Sequence, residues 1–215
     1  MSSSQPPRLF VIAGVDGAGK SSIAGAAIRE SGSEYFNPDE AAGAVLGANP
    51  NLTQKEANSA AWHTGVRLLR RATAERFDYT FETTLGGNTI PRLLAEAASH
   101  GSQIHLWYVG LSTVQLHIER VRSRVRRGGH HIPEQDIRRR FDHSRIHLID
   151  LLPHLTTLRV FDNSTPGDPS LGQLPNLQLV LHMERGKILG PPKLTNTPTW
   201  AKSIVAAAIK FHQQP

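Results

Sequence analysis

The segment Gly14 to Ser21, GVDGAGKS, constrains this chain more than any other feature. It fits G-x-x-x-x-G-K-[ST] at every position, follows the apolar run LFVIA and opens into SSIAGAAIRE. A glycine-rich turn between a strand and a helix start is the context in which backbone N–H groups converge on a phosphate and the helix end adds positive charge. An incidental glycine turn would not need strand, motif and helix in register. Gly14, Val15, Asp16, Gly17, Ala18, Gly19, Lys20, Ser21 and Ser22 are therefore read as a nucleotide-binding loop. Lys20 is expected to reach the β/γ oxygens of ATP, and Ser21 to hold Mg²⁺.

A phosphate loop of this kind needs a parallel sheet behind it. Strand-like apolar runs recur at Leu9–Ala13, Tyr35–Asn37, Tyr79–Glu82, Ile104–Val109 and Leu158–Phe161, with helical stretches between most of them. That alternation predicts an α/β fold with helices covering a parallel sheet. Val114, Ile118, Val121 and Val125 recur at helical spacing and predict a helix over 112–127, with Arg120, Arg124 and Arg127 on a neighbouring face. Pro133 reads as the first position of the next helix, with Glu134 and Asp136 in its first turn. A hairpin is expected from Gln178–His182 and Lys187–Leu189, turning at Glu184–Gly186. A last helix from Pro198 should bury Trp200, Ile204, Ala208 and Phe211. The 215 residues show no repeat or low-complexity linker and are read as one kinase-type domain, 1–215, with a motif-bearing core over 8–164 and a C-terminal hairpin and helix over 175–213.

Composition narrows the chemistry. Cysteine is absent, which excludes disulfides, thiolate zinc sites and a cysteine nucleophile. The start MSSSQPPRLF has no apolar signal core, and the longest aliphatic run, Ile204–Ile209, is far below the roughly 18 residues of a spanning helix, so a cytoplasmic chain without membrane contact is expected. The net charge of +6 is concentrated, with nine arginines between Arg120 and Arg145. Guanidinium forks suit phosphate oxygens, and few aromatics interleave with them, so a nucleotide or anionic substrate is favoured over nucleic acid.

Motor and switch ATPases of the P-loop class place an acid after a second apolar sheet strand, but Ile104–Gly110 ends without one. The acid sits instead in TFETT, where Glu82, Thr83 and Thr84 cluster at the C-terminal end of a strand, the side on which open α/β sheets bind ligands. A kinase is the better reading. Asp39, in NPDE, has two readings on the residues alone: a carboxylate that takes the acceptor's proton, or a favourable first-turn charge on a helix capped by Asn37, Pro38 and Glu40. His143 and His147 lie four apart on a helix, but no zincin glutamate or third ligand accompanies them. Arg120 and Arg124, one helical turn apart before Gly128-Gly129, suggest a mobile lid over 120–132 that closes on the transferring phosphate.

Taken together, GVDGAGKSS, FNPDEAA, TFETTLGG, HIERVRSRVRRGGHHIPEQDIRRR and VFDNS resemble the zeta-toxin family of P-loop kinases from about Leu9 to Ser164, and most nearly its stand-alone zeta-like ATPases. The resemblance implies a three-layer P-loop kinase fold with sheet order 2-3-1-4-5, helices on both faces, and transfer of phosphate from ATP to a sugar hydroxyl, which for zeta toxins is the 3′-hydroxyl of UDP-N-acetylglucosamine. It further implies Asp39 as general base, Glu82 and Thr84 in the acceptor pocket, Arg120 as a phosphate clamp, and Asp162, Asn163 and Ser164 as the loop that holds adenine. A separate antitoxin protein is an implied partner. Two departures stand out: Gly129, His130 and His131 lie where the toxins have a second lid arginine, whose work would pass to Arg124 or Arg127, and Gly86 replaces a serine usual in the stand-alone relatives. The expected activity is an ATP- and Mg²⁺-dependent small-molecule kinase. The alternatives are a nucleic-acid 5′-hydroxyl kinase or nucleic-acid-linked NTPase, and a non-catalytic nucleotide-binding regulator.

Overall fold

The fold is that of a computed structural model, which describes residues 5–20, 35–165 and 176–213. Ser21, Ser22 and the helix expected to follow them lie outside the described residues.

Strand β1 (Arg8–Ala13) is buried at every position after Arg8. A run that is apolar on both faces suits the centre of a parallel sheet, where helices cover both sides. It pairs in parallel with β3 (Tyr79–Thr83) on one side and β4 (Gln103–Gly110) on the other. The short β2 (Tyr35–Phe36) joins β3, and β5 (Thr157–Asp162) joins β4, both in parallel. The hairpin of β6 (Gln178–Glu184) and β7 (Lys187–Gly190) then extends the same sheet in antiparallel fashion, giving the order β2-β3-β1-β4-β5-β6-β7. The first five strands follow the expected order. The hairpin covers the outer hydrogen-bonding edge of β5, which would otherwise stand open as a pairing template.

Among the described residues the helices are α1 (Pro38–Ala48), α2 (Gln54–Glu75), α3 (Thr89–Ser99), α4 (Val114–Arg126), α5 (Glu134–Leu151) and α6 (Lys202–His212). Side-chain caps fix the starts nearest the site: Asn37 accepts from the Asp39 N–H, Thr53 and Glu56 form a capping box, and Thr113 accepts from the Leu116 N–H. Helix α5 starts at Glu134, one residue later than expected. Pro133 stands before it in extended conformation and accepts at its carbonyl from the N–H groups of Asp136 and Ile137.

The largest core joins Leu9, Val11 and Ala13 to Leu69 of α2, Leu94 of α3, Leu148 of α5 and Ile204 of α6. Because strand side chains alternate, Ile12 faces the other way, into a smaller cluster with Ala18, Trp107 and Val109. Trp200, Ile204 and Ala208 are buried as expected, whereas Phe211 is only partly covered one residue before α6 ends. The Trp200 Nε1–H donates to Asp162 Oδ1 at 3.2 Å, which ties the C-terminal segment to the ligand-binding end of β5. No helix among the described residues is long and apolar enough to cross a membrane.

Candidate active site

The phosphate loop is held from beneath and from both sides. At Gly17, φ is +78° and a Cβ would stand 2.7 Å from the His117 carbonyl, so only glycine lets the loop lie against α4. His117 is 1% exposed and its Nδ1–H donates to the Asp16 carbonyl at 2.8 Å. Burial is the main cause that lowers its pKa to about 4, so the strut is a neutral imidazole. Val15 packs with Ile118 and Val121 of α4 and with Ile132 and Ile137. On the far side, the Asn163 Nδ2–H donates to the Ala18 carbonyl at 2.8 Å, and Arg120 Nη2 donates to the Asn163 carbonyl at 2.7 Å. Lys20 turns its ammonium to the Gly14 carbonyl at 3.1 Å, and 4.0 Å from Glu82 Oε2.

Asp16 is 8% exposed and accepts from Arg140 Nη1 at 2.7 Å. Burial alone would raise its pKa, but Arg140 and Lys20 more than offset that and hold the carboxyl below its usual range. The close approach of Arg140 depends on Gly86, where a Cβ would meet Arg140 Cγ at 2.4 Å. A serine there would have to push this side chain aside.

Beyond the P-loop opens a cavity of about 500 Å³. Its lining includes the apolar side chains of Phe36, Val66 and Phe81 and the polar ones of Asp16, Asp39, Glu82, Thr83, Thr84 and Arg140. Glu82 is 8% exposed and receives a hydrogen bond from the Tyr35 hydroxyl. Burial and that carboxylate acceptor both raise the Tyr35 pKa, so the hydroxyl stays a donor. Helix capping belongs to Asn37, so the Asp39 side chain is free to face the cavity, where its oxygens lie 3.2 Å from Arg124 Nη1 and 3.7 Å from His130 Nε2. The Nε and Nη2 donors of Arg124 are buried and have no hydrogen-bond partner among the described residues.

Those of the expected residues that are described are thus brought to one end of the sheet, with two changes of detail; Ser21 and Ser22 lie outside the described residues. Arg120 and Arg124 share a helix but serve different walls: Arg120 holds the Asp162–Ser164 turn and Arg124 faces Asp39. The segment 120–126 is regular helix packed on the P-loop, so the irregular part of the expected lid is confined to residues 127–132. Ser164 donates its hydroxyl to Asp162, which also accepts from Trp200, and Asn163 is turned to the P-loop.

Arg140, His117 and Tyr35 escaped the sequence reading as site residues, and His147 entered it only with His143 as a metal-ligand spacing without a third ligand. His117 falls on the buried stripe of Val114, Ile118 and Val121, and Arg140 ends the arginine run, so both carried a weak signal. His147 donates from Nδ1 to the Leu85 carbonyl at 2.6 Å, and its Nε2 lies 2.9 Å from Asn88 Oδ1. It pins the turn after β3, in which Leu85 adopts the left-handed conformation at φ 52°. Its pairing with His143 is a ring contact, and no group of three metal-binding side chains occurs among the described residues.

A mostly parallel sheet with a glycine-rich phosphate loop after its central strand is the P-loop kinase fold. Two solved structures share it: the AvrRxo1-ORF1:-ORF2 crystal structure with ATP, at TM-score 0.67 and 14% identity over 94% of this chain, and the PezAT toxin–antitoxin system of Streptococcus pneumoniae, at 0.53 and 13% over 75%. The chain spans 64% of the length of the first, just under two thirds, and 69% of the second. An uncharacterized protein of Haemophilus influenzae is 28% identical over 128 residues, which are 60% of this chain and 88% of that protein. Residues 1–165 match the zeta toxin family, and the chain belongs to that family. Family and fold together are those of a nucleotide-dependent kinase.

Proposed function

We propose that this chain moves the γ-phosphoryl group of ATP onto a hydroxyl of a small molecule held in the 500 Å³ cavity. The observation that carries this reading is the meeting of two carboxylates, Asp39 and Glu82, in one cavity that opens beside the P-loop lysine. A phosphoryl acceptor needs one group to take its proton and others to aim its oxygen. Asp39 is the base in this reading. Glu82, held by Tyr35, orients the acceptor together with Thr83 and Thr84.

The residues present suit a bound triphosphate. Gly14 to Lys20 supply converging backbone and an ammonium, and the two unpartnered donors of Arg124 suit further phosphate oxygens. Ser21 is the proposed Mg²⁺ ligand by its motif position, and Asp162 to Ser164 form the proposed adenine loop. Bound magnesium would neutralise charge on the transferring group. Arg124 joins the two halves, since the helix that carries it packs on the P-loop while its guanidinium touches Asp39. Arg120, engaged with Asn163, would bind phosphate only after exchanging that carbonyl.

UDP-N-acetylglucosamine is the first acceptor to try, and a protein antitoxin is the partner to seek by co-purification. The deciding experiment incubates the protein with γ-labelled ATP, Mg²⁺ and a metabolite extract, then identifies the labelled product by mass. A phosphorylated small molecule is expected. Label found only on nucleic acid, or only as free phosphate, would overturn the reading.

A further inference from the structure

The segment that follows the family domain returns to the ligand-binding end of β5. Its contact there is Trp200, in a short 3-10 turn over Thr199–Ala201 that leads into α6. The indole is 4% exposed, and its ring centre lies 6.1 Å from that of Tyr108 on β4. It also covers Gly110 at the end of β4, where a Cβ would stand 2.2 Å from Trp200 Cη2. From the other side, Arg145 Nη1 of α5 donates to the Trp200 carbonyl at 3.4 Å. The ring is therefore fixed by β4 and by α5 together.

Filling the core is an ordinary duty for a tryptophan, and Trp200 does belong to the main core. Its polar edge does something more specific. The Nε1–H donates to a carboxylate oxygen, Asp162 Oδ1, which also accepts from the Ser164 N–H at 3.2 Å and from the Ser164 hydroxyl. Three donors thus converge on Oδ1, and among the described residues no hydrogen bond reaches Oδ2. Ser164 is itself held, since its Oγ accepts from the Ser112 N–H at 2.7 Å. Asn163, between them, donates to the P-loop carbonyl of Ala18. The turn after β5 and the phosphate loop are in this way one fixed piece, with one carboxylate oxygen left for a donor.

We propose that Trp200 is the positioning residue for the nucleotide base: by holding Asp162 Oδ1 it presents Oδ2 to the amino group of adenine, and so makes the site prefer ATP to GTP. Guanine carries a carbonyl oxygen where adenine carries that amino group, and a fixed carboxylate oxygen accepts from the one and repels the other. The segment beyond the family domain thereby completes the nucleotide site. The inference rests on the proposed role of Asp162 to Ser164 as the base-binding turn.

The test measures binding and not turnover, on the full chain with Mg²⁺ and the non-hydrolysable methylene analogues of ATP and of GTP. By calorimetry, the wild type is expected to bind the adenine analogue about 10-fold or more tightly than the guanine analogue. Trp200→Phe keeps an aromatic ring in the core and removes the N–H, so it should weaken the adenine analogue about 5- to 10-fold and leave the guanine analogue nearly unchanged. Asp162→Ala should abolish the preference, and adding Trp200→Phe to it should change either affinity by less than about twofold, because the two residues act through one contact. A residue that only packs would weaken both analogues alike and add its effect to that of Asp162→Ala. Either of those results overturns the proposal, as does a wild type without base preference. Melting temperatures check folding, and if Trp200→Phe melts too low to assay, a preference that survives in Asp162→Ala overturns the proposal from the other side of the contact. No acceptor is present, so the expected pattern in a protein that phosphorylates nothing would condemn the kinase reading and leave the role of Trp200 standing.

Discussion

On the nucleotide side of the site, Asp16 and His117 are 8% and 1% exposed, and each is fixed by a hydrogen bond to a partner more than a hundred residues away or to the loop beneath it. On the proposed acceptor side, the Asp39 side chain is 52% exposed, Trp62 is 44% exposed, and both line the cavity. The contrast matches the two tasks. A triphosphate presents the same oxygens every time, so its cradle gains from being built in advance. An acceptor must enter, be distinguished from others and leave, so its wall stays open until it is filled.

The sharpest way to break this contrast is at Lys20. If the cradle works by preset charge, Lys20→Ala should lower phosphoryl transfer by about 10³-fold or more, a loss of ~4 kcal/mol, while the melting temperature barely moves. Labelled transfer and thermal melting on one preparation check it. Wild-type turnover in the folded variant would remove this loop from the chemistry.

The buried pair behind the loop should matter to stability. Arg140→Met leaves the Asp16 carboxylate buried without its cation, and stripping one partner from a buried pair costs about 3–5 kcal/mol. The low end is expected because the Arg140 side chain keeps 27% of its surface exposed. Urea unfolding measures it, and a cost below ~1 kcal/mol would mean that the pair behaves as a surface contact.

His117 gives the cradle a pH signature. Its folded-state pKa is depressed to about 4, so the neutral ring is fully compatible with the fold above the ordinary value near 6.5, and stability is lost as pH falls from there towards 4. Asp16, also depressed, loses its contribution on the same acid side. The His117 interval corresponds to ~3 kcal/mol. Urea midpoints from pH 7 to 4 should slope downward, and His117→Gln should flatten that slope. An unchanged slope would show that another group carries the acid sensitivity.

On the open wall, Asp39→Asn should lower transfer by about 10²-fold, ~2.7 kcal/mol, with ATP affinity and stability nearly unchanged. Its exposure and the capping role of Asn37 predict that split. Retained transfer in a less stable protein would return Asp39 to the helix start.

By itself the sequence determined the strands of the parallel half, the loop at Gly14–Lys20 and the helix of Val114, Ile118 and Val121, because backbone chemistry and burial periodicity are local and leave their mark residue by residue; the order of those strands was implied only by the family resemblance. It also drew attention to Asp39, Glu82 and the arginines, as side-chain types suited to phosphate chemistry. Only the tertiary structure decided their partners. Arg120 and Arg124, four residues apart, turn to Asn163 and Asp39; Arg140 reaches back across the fold to Asp16; His147 closes on a turn at Leu85. Those choices depend on which elements the sheet order and helix packing set side by side, and pairings between residues 43 to 124 positions apart have no periodicity for a sequence to display. Trp200 shows the same limit: the apolar spacing of the last helix placed it in the core, but only the packing of that segment beside β4 and β5 brought its indole N–H to Asp162.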